Sequence, residues 1–172
     1  LAQSDIFRFY FNSTMPASIA HSIGVNQWFN LAFSYNTGHL KIYLDGIQVY
    51  GSHIGYFSLS TINDFRLGYT HSSGITYPFS GNIDNVHIWS RVLDHSEINS
   101  FITCPPNTIT NNYTDLEAYW NFEQINGTTV MDLSGNGFNG TLINSPSNSS
   151  NVPVQNCNST WSSCENTTNN LT

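Results

Sequence analysis

Residues Trp28 to Val49, WFNLAFSYNTGHLKIYLDGIQV, decide the fold. Leu31, Phe33 and Tyr35 alternate with Ala32 and Ser34, and Leu40, Ile42 and Leu44 alternate with Lys41, Tyr43 and Asp45. A period of two puts one set of side chains on a buried face and the other in solvent, as in strands of a half-buried antiparallel sheet. Asp45-Gly46 stands between two apolar segments. A tight hairpin turn there needs positive φ, which Gly supplies, so the pair is expected to join neighbouring strands. Outward from this stretch, Phe7, Phe9 and Phe11 alternate with Arg8 and Tyr10, and a closing run extends from Phe65 to Leu93. Together these segments predict an all-β sandwich. Asp94 followed by Glu97 just before Ile98 reads as a capping box, which predicts one helical turn over Ser96 to Phe101.

The order of the segments resembles the laminin G-like branch of the concanavalin A-like lectin/glucanase jelly rolls. The residues that carry the resemblance are Trp28, Leu31, Ala32 and Tyr35; Leu40, Tyr43, Leu44, Asp45 and Gly46; Leu67 and Gly68; and Gly81, Ile83, Asp84, Val86, Ile88, Trp89, Arg91, Leu93, Glu97 and Ile98. It implies an antiparallel two-sheet jelly-roll sandwich. Residues 116–143, with Leu116, Tyr119, Trp120, Phe122, Asp132, Ser134, Gly135, Gly137, Gly140 and Thr141, resemble the segment that opens such domains, yet here they follow the closing segment. Either the domain is circularly permuted or the chain joins the end of one repeat to the start of the next. Permutation is favoured, because a terminal strand can pair beside any neighbour in space whatever its order in sequence.

Against the family pattern, a run carrying an early Asp-Tyr strand and an aromatic strand is missing. An incomplete sandwich leaves unpaired edges, which a neighbouring chain can complete by strand donation. The expected organisation is a laminin G-like jelly roll over residues 1–144, with a Pro/Asn/Thr linker at 104–114 inside it. A polar, Cys-containing, glycosylated tail follows at 145–172, as a spacer or inter-protomer segment. The chain begins at Leu1 rather than Met, which reads as a processed product or a fragment.

Only 9% of the 172 residues are charged, against about 25% in ordinary soluble domains, so Asn, Ser and Thr must keep the surface wet. With 11 acidic and 4 basic residues and a net charge of −7, no basic stripe exists to neutralise phosphates, and nucleic-acid binding is not expected. No apolar run approaches the roughly 18 residues of a membrane span.

Asn-x-Ser/Thr sequons stand at Asn12, Asn112, Asn126, Asn139, Asn148, Asn158, Asn166 and Asn170. They point to N-linked glycans on a secreted, extracellular surface. Three cysteines fit that compartment. Cys157 with Cys164 is the expected disulfide, close in sequence, with Cys104 left over.

Asp132 followed by Ser134-Gly135-Asn136-Gly137 is a carboxylate before an oxygen-rich turn. Backbone carbonyls of such a turn could join the Asp in binding calcium, and the resemblance implies Asp132, Asn136 and Asp84 as a candidate calcium site; an Asx-type turn without metal is the alternative. Glycoside hydrolysis needs two carboxylates about 5–10 Å apart. The four glutamates, Glu97, Glu117, Glu123 and Glu165, fall in no Glu-x-Asp-x-Glu array, so no enzyme is expected. His21, His39, His53, His71, His87 and His95 show no His-x-His or His-Glu-x-x-His spacing and read as strand or loop residues. Tyr50, Tyr56, Tyr69 and Tyr77 could stack on sugar rings, although on so aromatic a chain such residues are more often core or interface. The reading that follows is a structural or adhesive secreted glycoprotein, assembled into an extracellular fibre through edge contacts between copies of itself. The alternative is a calcium-dependent carbohydrate- or protein-binding module of a larger secreted protein.

Overall fold

A computed structural model describes residues 6–11, 14–20, 26–56, 65–72, 75–108, 111 and 113–157, with side chains from residue 26 onward except at 69–77. The described chain is mostly strand with one helix, and each strand pairing is antiparallel. It forms two compact units: residues 1–58 with 92–102, and residues 59–91 with 103–172.

In the first unit, β1 (Ile6–Phe11) pairs with β2 (Thr14–Ala20). β3 (Leu31–Asn36), β4 (His39–Leu44) and β5 (Ile47–His53) form a three-stranded meander. Both of its turns are two residues long with left-handed backbone throughout: Thr37-Gly38 at φ 46° and 84°, and Asp45-Gly46 at φ 48° and 78°. That is the geometry whose twist matches the flanking strands. Asp45 also fixes the entry to β3, since its Oδ1 accepts from Asn30 N at 2.8 Å and its N donates to Asn30 O at 2.9 Å.

Leu40, Ile42 and Leu44 are buried as their alternation predicts, while Lys41 is exposed. Tyr43, expected to point outward, is also buried; β4 is the central strand and carries a register shift against β5 between Ile42 and Tyr43. Phe33 departs from expectation in the other direction. It stands opposite Ile42 in the ladder, yet it is 59% exposed. The core of Leu40 and Ile42 is packed instead by Leu31, Val49, Tyr50 and Ile54.

The helix α1 (His95–Thr103) is longer than the single turn expected over Ser96 to Phe101. Its capping box is formed: Asp94 Oδ1 accepts from Glu97 N at 2.9 Å, and Glu97 Oε2 accepts from Asp94 N at 2.8 Å. Two reciprocal bonds at the first turn, with Ile98 buried, let the helix run on.

The second unit contains β6 (Tyr69–Ser72), β7 (Ile75–Pro78), β8 (Val86–Trp89), β9 (Leu116–Trp120), β10 (Ile125–Asn126), β11 (Thr129–Val130) and β12 (Gly140–Thr141). The late strand β9 lies beside β8, with Val86 opposite Trp120 and His87 opposite Tyr119. Ala118, Trp120 and Val130 form its apolar core, packed by Val86, Ile88, Phe122, Ile125 and Leu142.

The disulfide joins Cys104 to Cys157, not Cys157 to Cys164. Nearness in sequence is overruled by a backbone contact. Asn156 N donates to Thr103 O at 2.9 Å, which brings the neighbouring cysteines to a Cα separation of 4.9 Å, inside the window of about 4.4–6.8 Å that the bond requires. Cys164 lies outside the described residues. The first part of the expected tail is thereby docked on this unit, and Asn82 Nδ2 adds bonds to Ser149 Oγ (3.2 Å) and Asn151 O (3.3 Å).

Candidate functional site

Opposite the apolar side of the β8–β9 ladder lies a cluster of polar and aromatic groups. Alternation directs His87, Trp89 and Tyr119 away from Val86, Ile88 and Ala118, and the loop before β8 adds Asp84 and Asn85. Asn85 has left-handed backbone, φ 51°, which an Asn tolerates. Its N donates to Asp84 Oδ1 at 2.8 Å, and its own Oδ1 accepts from the Tyr119 hydroxyl at 2.9 Å. With that oxygen engaged, the amide nitrogen is the group Asn85 has left to offer beside a carboxylate.

Burial pushes the Asp84 carboxyl up to about 6; the Asn85 N–H opposes the shift and the charge of Glu123 adds to it. Glu123 is exposed and follows Phe122, whose φ of 59° is a strained setting for an aromatic residue. Tyr119 is held protonated by burial and by the charges of Asp84 and Glu123. Crowded acceptors, a perturbed carboxyl and strained backbone at one place are the marks of a functional site.

Burial pushes His87 down to about 4, so it is a neutral ring at ordinary pH. Its Nδ1 accepts from Trp89 Nε1 at 2.7 Å, which puts the ring proton on Nε2. Trp89 meets Tyr113 edge to face at 5.4 Å, and Arg91 lies 5.5 Å from the Trp89 ring centre while pairing with Asp115 at 3.3 Å.

The residues expected to hold calcium do not make one ligand set. Asp132 Oδ1 accepts from Tyr119 N and Ser134 N, both at 2.9 Å; Oδ2 accepts from Ser134 Oγ at 2.8 Å and Phe138 N at 3.0 Å. Burial alone would raise this carboxyl, but the hydrogen bonds outweigh it and hold the group below its ordinary value. Asn136 turns its amide nitrogen to Leu116 O (2.9 Å) and Glu117 O (3.0 Å).

Four protein donors fill the carboxylate, so the loop is a hydrogen-bonded turn and does not fit a cation at Asp132. Asp84 belongs to the hydroxyl end of Tyr119, whereas Asp132 holds its backbone. Among the described residues, no three of His, Cys, Asp and Glu gather as a metal site.

Of the sequons, Asn126, Asn139 and Asn148 are described, and all three are exposed. Asn139 also accepts from Asp132 N at 2.9 Å through Oδ1, which leaves its amide nitrogen for a glycan. Asn12, Asn112, Asn158, Asn166 and Asn170 lie outside the described residues, as do the side chains of Tyr69 and Tyr77. Tyr50 packs into the first unit's core, while Tyr56 is 80% exposed. Glu97 is spent on its helix cap. Sequence reasoning missed Asn85, Tyr119 and Glu123 as site residues; Asp84-Asn85 directly before a strand is a signal for Asn85, whereas Tyr119 lies 34 residues away and no local signal reports it. No helix among the described residues is long and apolar enough to cross a membrane.

Residues 1–99 match a family of the concanavalin A-like lectin/glucanases superfamily, of laminin G type. The match takes in more than half of the chain, and the chain belongs to this superfamily. It is similar to the crystal structure of a proposed carbohydrate-binding protein from Bacteroides ovatus ATCC 8483, at 21% identity and a TM-score of 0.60, over 73% of this chain and 37% of that one. At that identity the likeness is one of fold, and this chain spans well under half of that protein. No curated protein matches the chain.

Proposed function

We propose that this is a carbohydrate-binding module of a larger secreted protein, with Asp84, Asn85 and Glu123 as its polar contacts. Membership of a superfamily that contains lectins supports the reading, as does the likeness to a proposed carbohydrate-binding protein. The observation that carries it is the Asp84-Asn85 pair: a half-buried carboxylate with an amide donor beside it, held in place by the Tyr119 hydroxyl. Adjacent acceptor and donor suit two neighbouring hydroxyls of a sugar. Those hydroxyls would also bring donors to two carboxylates that repel each other.

The Cys104–Cys157 bond and the exposed sequons Asn126, Asn139 and Asn148 support an oxidising, extracellular setting with N-linked glycans. The antiparallel pairing of β9 with β8 supports a permuted jelly roll. Because that late strand pairs within its own chain, it lends nothing to a fibre built by strand exchange, and assembly is not carried forward. Nor does the binding reading require calcium.

Glycan-array screening followed by calorimetry tests the proposal. A glycan ligand should emerge whose affinity falls at least tenfold in Asp84→Ala and in Asn85→Ala, with circular dichroism unchanged and no effect of chelator. No ligand for the wild type, or equal binding by both variants, would overturn it.

A further inference from the structure

At the turn end of the first unit's meander, His39 opens β4 and His53 closes β5, and the two are direct partners in the antiparallel ladder. Cross-strand partners project from the same face with Cβ atoms about 5 Å apart. Both side chains are exposed. Their ring centres are 4.8 Å apart and the planes meet at 72°. Two imidazoles bound to one tetrahedral ion through bonds of about 2.0–2.1 Å place their ring centres about 5 Å apart. The pair therefore already has the spacing of a chelate.

Gly38 makes the spacing possible. Any Cβ there would stand 2.5 Å from His53 Nε2, and its φ of 84° is one that other residues rarely adopt. The glycine thus makes room for the His53 ring, whose Nε2 rests against it, so binding an ion through that nitrogen requires the exposed ring to turn about its side-chain bonds. Backbone around the pair is fixed by Ile54 N donating to Gly38 O at 2.8 Å and by the Tyr35 hydroxyl donating to Gly55 O at 2.9 Å.

We propose that His39 and His53 form a two-histidine site for a divalent transition-metal ion of the zinc, nickel or copper type. Imidazole nitrogens suit these ions and do not suit calcium or magnesium. The remaining coordination positions face solvent and are open to water or an external ligand. The site is independent of the carbohydrate reading and uses none of its residues.

The experiment is titration of tag-free protein with Ni2+ and with Zn2+, followed by calorimetry and by paramagnetic broadening of NMR signals with Ni2+. One ion per chain should bind, with broadening centred on Gly38, His39, His53 and Tyr56, whose ring lies 5.9 Å from His53. His39→Ala and His53→Ala should each weaken binding at least tenfold, Ca2+ should not compete, and His95→Ala should change nothing. Glycan binding should survive His39→Ala, which separates the two proposals. No saturable binding, broadening centred on another histidine, or unchanged affinity in both His39→Ala and His53→Ala would overturn the site.

Discussion

The meander of β3, β4 and β5 and the region from β9 to β12 reach order by different means. In the meander, alternating side chains and two left-handed turns bury Leu40, Ile42 and Leu44 behind a regular ladder. From β9 onward the strands after Trp120 are two residues long, and polar side chains do much of the holding. Asp132 ties β9 to its own loop, Asn136 caps the carbonyls of Leu116 and Glu117, and Trp120 Nε1 donates to Phe138 O at 2.9 Å. A disulfide then fastens the following segment. The first region stands on packing and the second on specific bonds, so each should fail to a different kind of substitution.

The largest expected effect is on the second region. The disulfide joins residues 53 apart, for which the chain-entropy estimate is about 4 kcal/mol. Cys104→Ser with Cys157→Ser should cost about that much, with amide exchange accelerating most around residues 103–108 and 149–157. Equal acceleration in β3 to β5 would break the contrast between the regions.

Next are paired single substitutions. Ile42→Ala empties a fully buried position of the meander and should cost about 3–4 kcal/mol. Asp132→Ala strands four donors and should cost about 3 kcal/mol. The sharper comparison is Asp132→Asn, which keeps the shape but replaces one acceptor oxygen by a donor and so should still destabilise by about 2 kcal/mol. Urea melts of the variants check these values. Added Ca2+ should leave the wild-type melting temperature unchanged, because a ligand that binds only the native state must raise its stability, and the Asp132 loop is already filled by protein donors.

The same contrast explains what could be read from the sequence. Leu40, Ile42, Leu44 and the Asp45-Gly46 turn were legible because period and turn chemistry are local properties. So was the capping box of Asp94 and Glu97. Thr37-Gly38 carried an equally local signal, but its left-handed Thr makes it less recognisable than Asp-Gly. Phe33 was not legible, since alternation says which side of a strand a residue faces and not whether anything covers it. The loop after Asp132 was ambiguous for a chemical reason: calcium and backbone N–H groups both want carboxylate oxygen and glycine-rich turns. The Cys104 bond and the link from Tyr119 to Asn85 join residues far apart in sequence, and no pattern within either segment reports them.

The smallest expected effect sharpens the comparison within the candidate site, where two buried groups titrate against each other. His87, ordinarily near 6.5, is pushed down to about 4. Between those values the unfolded chain takes up a proton that the native state refuses, so stability present above pH 6.5 is lost as pH falls toward 4. Asp84, ordinarily near 3.8, is pushed up to about 6. Over nearly the same window the native state holds a proton the unfolded chain has released, so its contribution is present below pH 3.8 and lost as pH rises toward 6. His87 is the more deeply buried, and its shift corresponds to a change on the order of 3 kcal/mol. Solvent screening of half-buried Asp84 reduces its opposing share to about 1 kcal/mol. Wild type should therefore lose stability on acidification from pH 6.5 to 4, but less than His87 alone dictates. Asp84→Asn removes the compensation: urea melts should find it more stable than wild type at pH 7 by about 1 kcal/mol and steeper in its acid loss. A variant with the wild-type slope, or one destabilised at pH 7, would show that the Asp84 carboxyl is not held under strain beside Glu123.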